Sequence, residues 1–182
     1  LSIEAYYRMM RNQVDYSDHA KMLLNPLVES QLRFGTTRAY GLEILLKHNS
    51  PRLEGWISYN WSSVKISTPE INGGNTYPAI YDRPHEITLF TNYKPGSRTQ
   101  LSANWILSSG SPFTTPSGYY QYNGNTVPIF TGKNNDRLPP YHRLDISALF
   151  RLNKKVHRFN HSIGFNIFNI YGRENPVFVN FN

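Results

Sequence analysis

Seven stretches of the chain alternate apolar and polar residues with a period of two. In the clearest one, residues 142–152, Leu144, Ile146 and Phe150 lie on one side, and Arg143 lies on the other. Because successive side chains of a strand point to opposite faces, this spacing predicts a strand with one apolar face. The same pattern predicts further strands at residues 1–10, 38–48, 55–66, 85–94, 99–108 and 159–170. Each has close to the ~10 residues that a tilted strand needs to cross a bilayer.

The connections between these strands alternate between two sizes. The short ones, which predict tight turns rich in Pro, Gly, Ser, Asn and basic residues, are 49–54, 95–98 and 153–158. The long ones are 11–37, 67–84 and 109–141. Outer-membrane barrels have short periplasmic turns and long extracellular loops. The pattern therefore predicts an all-β fold of about seven antiparallel transmembrane strands, the first of which ascends toward the cell exterior.

The strand count predicts that this barrel is incomplete. A bacterial barrel has an even number of strands and both termini in the periplasm, whereas seven strands that begin upward also end upward. We therefore expect residues 1–182 to be a partial barrel domain without its N-terminal strands and without at least one descending strand after Asn182. Residues 172–182, in which Val177, Val179 and Phe181 alternate, are expected to begin the next outer loop.

Composition narrows the protein class. The chain has no run of about 18 apolar residues and a mean hydropathy of −0.52, which excludes a transmembrane helix but not a membrane barrel. It has no cysteine, so disulfides and thiolate metal sites are excluded. A net charge of +7 with many tyrosines is also typical of single-stranded nucleic-acid binders. The basic residues are scattered, however, so we expect no nucleic-acid partner. We expect some of these basic residues to contact anionic lipopolysaccharide instead.

Several motifs at the outer ends of the predicted strands carry a family resemblance. They are TTRAYGLE at 36–43, YPAIYDRPH at 77–85, SSGSPFT at 108–114, NDRLPPYHRLDIS at 135–147 and NIFNIYGRENP at 166–176. In this order they resemble the C-terminal barrel portion of a TonB-dependent outer-membrane receptor. The resemblance is closest to the Bacteroidetes type, whose members often have an N-terminal carboxypeptidase-regulatory-like domain and a plug.

This resemblance implies a nutrient receptor in the bacterial outer membrane, with a large barrel of about 22 strands whose lumen is filled by a plug. Such a receptor binds a scarce extracellular ligand and imports it with energy from the TonB–ExbB–ExbD complex, which acts through the absent N-terminal part. The implied partners also include lipopolysaccharide and, as a candidate, a surface lipoprotein. Neither enzymatic activity nor a cofactor is implied. The ligand stays open between siderophore, haem, cobalamin, oligosaccharide and peptide.

Two other functional classes stay open from the sequence. One is an outer-membrane barrel enzyme such as a protease or lipase, although no catalytic triad or pair of carboxylates stands out. The other is a soluble β-rich module that binds carbohydrate or nucleic acid.

The loop at 109–141 contains the candidate ligand-binding residues. Exposed aromatic rings stack on sugars, haem or aromatic chelators, and loops commonly carry binding contacts. The alternative is that the rings pack among the outer loops or lie in the aromatic girdle. The candidates are Phe113, Tyr119, Tyr120, Tyr122, Arg137 and Tyr141.

The alternation also predicts which side chains face the lumen and which face lipid. The charged residues Glu43, Glu86, Arg143 and Asp145 fall on the polar side, and we expect them to pair with neighbouring strands or the plug. His85 and His142 share the parity of the apolar side. We therefore predict no metal site there, and expect both to contact lipopolysaccharide or to cap a strand. The aromatics predicted to face lipid are Tyr7, Tyr40, Tyr59, Trp61, Tyr93, Trp105 and Phe150.

Overall fold

The computed structural model of the chain describes residues 1–18, 20, 23–153, 159–176 and 178. Long strands alternate there with loops that contain short strands and two short 3-10 helices, η1 (Val28–Gln31) and η2 (Asn72–Gly74). The strands are β1 (Ser2–Tyr16), β2 (Leu32–Asn49), β3 (Leu53–Ser67), β4 (Tyr77–Pro78), β5 (His85–Gly96), β6 (Thr99–Ser108), β7 (Pro112–Phe113), β8 (Gly118–Tyr122), β9 (Asn125–Ile129), β10 (Asp136–Arg137), β11 (Tyr141–Arg151) and β12 (Ser162–Ile167).

The seven predicted strands are all present, and they pair in the order in which they occur in the chain. The main sheet runs β1-β2-β3-β5-β6-β11-β12, and every pairing is antiparallel. The sheet is open, because β1 and β12 do not pair with each other. This up-and-down order confirms the predicted all-β fold and its barrel-type topology. No helix in the described part of the chain is long and apolar enough to cross a membrane.

The two faces of the main sheet differ as the alternation predicts. Strand register aligns apolar side chains in rows across the sheet, and one such row contains Leu46, Ile57, Leu89, Trp105 and Leu144. The opposite face contains most of the charged residues of the main strands, among them Glu43, Glu86, Arg143 and Asp145. In an outer-membrane barrel the apolar face contacts lipid and the polar face lines the lumen.

The first hairpin is longer than the sequence pattern predicts, and this corrects the predicted loop at 11–37. Strand β1 extends to Tyr16 and β2 begins at Leu32. A β-bulge between Met10 and Gln13, with Asn12 at φ 55°, inserts one extra residue into β1. Such a bulge reverses the parity of the residues that follow, so the period-two pattern ends although the pairing continues.

The other differences are also at strand ends. Strand β12 covers Ser162–Ile167 and not the predicted 159–170, while β11 begins at Tyr141. The predicted loops at 67–84 and 109–141 contain the short strands β4 and β7 to β10. Most of the predicted turn at 153–158 and the residues Val177, Val179 and Phe181 lie outside the described residues.

The buried core lies between the main sheet and the outer loops, which we number loop 1 (residues 17–31), loop 2 (68–84) and loop 3 (109–140). Thr37 and Ala39 of β2 are buried on the polar face, as are Ile71, Tyr77 and Ala79 of loop 2. Strand β4 of loop 2 pairs with β3. Strand β4 therefore extends the sheet beside β3 beyond the start of β5, and the Tyr77 side chain reaches across the lumen face of β2 to Asp15 on β1.

Candidate functional site

An ion pair joins the outer end of the first strand to the third outer loop. The Lys133 ammonium lies 2.8 Å from the Asp15 carboxylate, and the Tyr77 hydroxyl of loop 2 donates a 2.7 Å hydrogen bond to the same carboxylate. The ammonium also lies 5.2 Å from the centre of the Tyr77 ring, within the range of a cation–π contact. We call these three residues, together with Asn72, Asp82, Asn134 and Arg137, the loop junction.

The loop junction lies outside the predicted membrane span, and it changes the acidity of two of its members. Burial alone raises the pKa of Asp15, but hydrogen bonds from Lys133, Tyr77 and the Tyr16 N–H, with the charge of Lys133, outweigh burial and lower that pKa. Burial, with the neighbouring Asp15 carboxylate, raises the pKa of the Tyr77 hydroxyl. Both shifts favour the state in which Asp15 is ionised and accepts a hydrogen bond from the protonated Tyr77 hydroxyl.

A second ion pair in the loop junction lies between loops 2 and 3. The Arg137 guanidinium pairs with the buried Asp82 carboxylate and donates hydrogen bonds to the backbone carbonyls of Asp82 at 2.7 Å and Gly110 at 3.2 Å. The other carboxylate oxygen of Asp82 accepts a 2.6 Å hydrogen bond from the Val64 N–H. Asp82 therefore connects loop 3 to strand β3, and its charge is fully paired.

Two asparagines complete the loop junction. The Asn72 side-chain oxygen accepts the Lys133 N–H at 3.1 Å, and the Asn72 N–H donates to the Asp18 carboxylate of loop 1 at 2.9 Å. The Asn134 side-chain amide donates to the Pro78 carbonyl at 2.7 Å. All three outer loops are thus connected by hydrogen bonds on the lumen side of the sheet.

A cavity of about 470 Å³ opens between the three loops. Its walls include Asp18 of loop 1, Asn72 of loop 2, and Thr114, Phe130 and Lys133 of loop 3. This volume is within the range of small-molecule sites, which combine apolar surface with a few polar groups that orient the ligand. An aromatic ring beside a carboxylate, an amide and a hydroxyl can bind a ligand rich in hydroxyl or amide groups.

The residues that the sequence predicts for ligand binding separate into two groups in the structure. Tyr119, Tyr120 and Tyr122 lie on the β8–β9 hairpin, where these residues are 57%, 49% and 64% exposed. Strand alternation places Tyr119 on the face of the hairpin opposite to the other two tyrosines. The hairpin therefore presents aromatic rings to solvent on both faces.

The other three predicted ligand residues lie at the base of loop 3. Phe113 on β7 pairs with β10, and Tyr141 begins β11 opposite Ser108. The Arg137 guanidinium is paired with the Asp82 carboxylate. Loop 3 thus has a base attached to the sheet and an exposed tyrosine hairpin.

The predicted lumen charges lie on the polar face, in different local environments. Arg143 pairs with Asp145 at 2.8 Å, two residues along the same strand. Glu86 accepts a 3.4 Å hydrogen bond from Ser108 on the adjacent strand and lies 3.8 Å from Arg83. Glu43 is directly opposite Glu4 on β1 and Asn60 on β3.

The two predicted outward histidines each contact a tyrosine hydroxyl. The Tyr59 hydroxyl lies 2.9 Å from His85 Nδ1, and the Tyr171 hydroxyl lies 2.8 Å from His142 Nδ1. The His85 backbone N–H also donates a 3.0 Å hydrogen bond to the Ser109 hydroxyl oxygen, which caps the start of β5. Across residues 1–18, 20, 23–153, 159–176 and 178, no group of His, Cys, Asp or Glu residues could hold a metal ion.

Sequence reasoning missed most of the loop junction. Asp15 lies in β1, whereas Asn72, Tyr77 and Asp82 lie in loop 2, and only Tyr77 and Asp82 lie in a motif that the sequence singled out. The available signal was the motif at 77–85, whose aromatic and acidic residues are too polar for a membrane strand. It could indicate a structured loop, but not the partners that this loop contacts.

A family model described as TonB dependent receptor-like, beta-barrel matches residues 1–170. No curated protein and no solved structure matches the chain.

Proposed function

Because the chain belongs to the TonB-dependent receptor-like β-barrel family, we propose that it is part of a nutrient receptor that binds a scarce extracellular ligand and imports it with TonB-delivered energy. Family membership suggests transport across the outer membrane in general. The observation that carries the proposal is the family match over residues 1–170. The main sheet agrees with it, because its strand order and its apolar face are those of an outer-membrane barrel.

The wider assignment is also a proposal. Residues 1–182 form one part of the barrel domain, and the plug and the contact with the TonB–ExbB–ExbD complex belong to other parts of the receptor. The motifs support the Bacteroidetes type and, with it, a surface lipoprotein as a partner. The receptor is located in the bacterial outer membrane, contacts lipopolysaccharide and performs no covalent chemistry on its ligand.

The proposed ligand surface is the tyrosine hairpin of loop 3 together with the cavity between the loops. Tyr119, Tyr120 and Tyr122 offer exposed rings, and Phe130 and Lys133 line the cavity. Phe113 and Tyr141 support the base of this surface, and Arg137 positions loop 3 through Asp82. The lumen charges Glu43, Glu86, Arg143 and Asp145 line the path below it.

Uptake by cells tests the importer proposal. Cells with the full-length receptor are given haemin, cyanocobalamin, a ferric catecholate chelate, maltoheptaose or a tripeptide, and accumulation is compared with cells that lack the receptor or TonB. We expect one class of probe to accumulate only when both are present. Accumulation that persists without TonB contradicts the importer. Hydrolysis of a probe by the purified receptor favours the outer-membrane enzyme instead.

A further inference from the structure

Two cationic side chains are directly opposite each other near the outer end of the apolar face. Strand register pairs Arg38 of β2 with Lys65 of β3, and both are exposed. Like charges directly opposite on neighbouring strands destabilise a sheet. This arrangement therefore costs free energy unless an anion lies between the two side chains.

Within the described part of the chain, neither cation has a protein counter-ion. No hydrogen bond or ion pair of the Arg38 or Lys65 side chain occurs among the described residues. Three acidic residues near the outer end are paired elsewhere, on the lumen side. Glu70 pairs with Arg33, Asp82 with Arg137, and Asp15 with Lys133.

The fold prevents the two cations from reaching that lumen side. Thr37 and Ala39, the residues on either side of Arg38, are 1% and 8% exposed on the polar face, where Thr37 lines a cavity with Ile80 and Tyr81 of loop 2. Strand alternation then fixes Arg38 on the opposite face, together with Lys65. The sheet and loop 2 thus separate this pair from the acids that could neutralise it.

The position of the pair along the strands matches the depth of lipid head groups. Tyr40 and Trp61 are in edge-to-face contact at 5.9 Å on the same face, one and two pairs of residues nearer the membrane centre. Tyrosine and tryptophan are enriched at the membrane interface. Because each step of two residues is about 6.6 Å along a strand, the cations lie just beyond this aromatic contact.

We propose that Arg38 and Lys65 bind a phosphate group of lipid A, the phosphorylated anchor of lipopolysaccharide in the outer leaflet. The guanidinium can donate two parallel hydrogen bonds to phosphate oxygens, and the ammonium adds a second positive charge. The apolar row below contacts the acyl chains. This inference rests on the proposed outer-membrane location, but it is independent of which ligand the receptor imports.

Binding of lipid A to the full-length receptor in non-ionic detergent tests the inference by native mass spectrometry. We expect wild type to bind bisphosphorylated lipid A more tightly than dephosphorylated lipid A. Arg38→Gln and Lys65→Gln should each weaken binding of the phosphorylated form about fivefold, and the double variant about 25-fold, since a basic residue near an anionic surface contributes about this much. Lys65→Arg should retain most of the affinity, whereas Arg38→Lys should retain only part of it, because a lysine keeps the charge but cannot donate the two parallel hydrogen bonds.

The matched control removes the same charge at the other end of the strands. Arg52 and Arg98 are exposed at the inner turns, so the double variant Arg52→Gln and Arg98→Gln should bind lipid A like wild type. Equal loss in this control, or equal binding of dephosphorylated lipid A, overturns the inference. Displacement of lipid A by an equimolar amount of inorganic phosphate indicates a general anion site and also overturns it. Heat-modifiable gel migration confirms that each variant is folded, and uptake of the nutrient probes is measured separately.

Discussion

Lys133 of loop 3 and Asp15 of strand β1 form a 2.8 Å ion pair that closes the outer loops over the lumen face of the sheet. The side chains of both residues are 22% exposed, so the pair is partly shielded from water. Tyr77 adds a hydrogen bond to the same carboxylate. The pair therefore holds loops 2 and 3 together beside the cavity proposed to bind the ligand.

Removing the ammonium should loosen this junction. We expect Lys133→Met to cost about 1 kcal/mol of local stability, because the partly buried Asp15 carboxylate loses a charged hydrogen-bond donor. Hydrogen exchange of the full-length receptor should show faster exchange at residues 72–79. Lys94→Met is the matched control, since Lys94 lies 3.8 Å from Glu54 in an exposed pair worth about 0–0.5 kcal/mol. Equal effects of the two variants contradict this prediction.

The lowered pKa of Asp15 predicts acid sensitivity of the loop junction. A carboxyl whose pKa is lowered by folding stabilises the folded state fully above its unfolded value of 3.8, and this contribution is lost as the pH falls below 3.8 through the folded value. Near-ultraviolet circular dichroism, titrated from about pH 6 to about pH 2, should therefore lose part of its tyrosine signal. The Asp15→Asn variant should lack this step. If the loss of signal is unchanged in Asp15→Asn, another group causes it.

Arg137 is expected to act through loop structure and not by direct ligand contact. Arg137→Met leaves the carboxylate of Asp82, whose side chain is 5% exposed, without its cation, and should cost about 3 kcal/mol. Arg137→Lys should restore only part of this, because a lysine cannot reach the two carbonyls and the carboxylate together. Proteolysis of loop 3 in the intact receptor measures the effect. Ligand affinity lost without any change in proteolysis indicates direct contact instead.

Gly110 is predicted to tolerate no side chain. A Cβ at this position would overlap the carbonyl of Leu138, which is backbone and cannot rotate away. Gly110→Ala should therefore cost about 2 kcal/mol or more and displace loop 3. Gly118→Ala is the control, because a Cβ there would meet nothing within 4 Å. Chemical denaturation of the full-length receptor and proteolysis of loop 3 compare the two.

The tyrosine hairpin is expected to affect binding and not stability. Replacing Tyr119, Tyr120 and Tyr122 by serine removes rings that are about half exposed or more, so folding should change little. Affinity for the imported probe should fall, by about 1 kcal/mol or more for each ring that stacks on the ligand. Isothermal titration calorimetry measures this change. If the affinity is unchanged, the hairpin does not bind the ligand, and the cavity beside Lys133 is the remaining candidate.

The sequence determined the seven-stranded sheet, its order and its two faces. Alternation is a local property, because successive side chains of a strand point to opposite faces. The lengths of the connections are also read directly from the sequence, and they indicate which ends of the strands face the cell exterior. The outward position of His85 and the lumen position of Glu86 therefore followed from counting residues. The family resemblance came from short motifs, which are equally local.

Only the tertiary structure decided how the outer loops fold. The bulge at Asn12 reversed the parity of β1 and placed Asp15 on the lumen face, which alternation from the preceding strand could not predict. Lys133 pairs with Asp15, and Arg137 pairs with Asp82, because loops 2 and 3 pack on the same face of the sheet. Such contacts join residues that are far apart in sequence. The opposition of Arg38 and Lys65 likewise required strand register, because alternation gives the face of a residue but not its cross-strand neighbour.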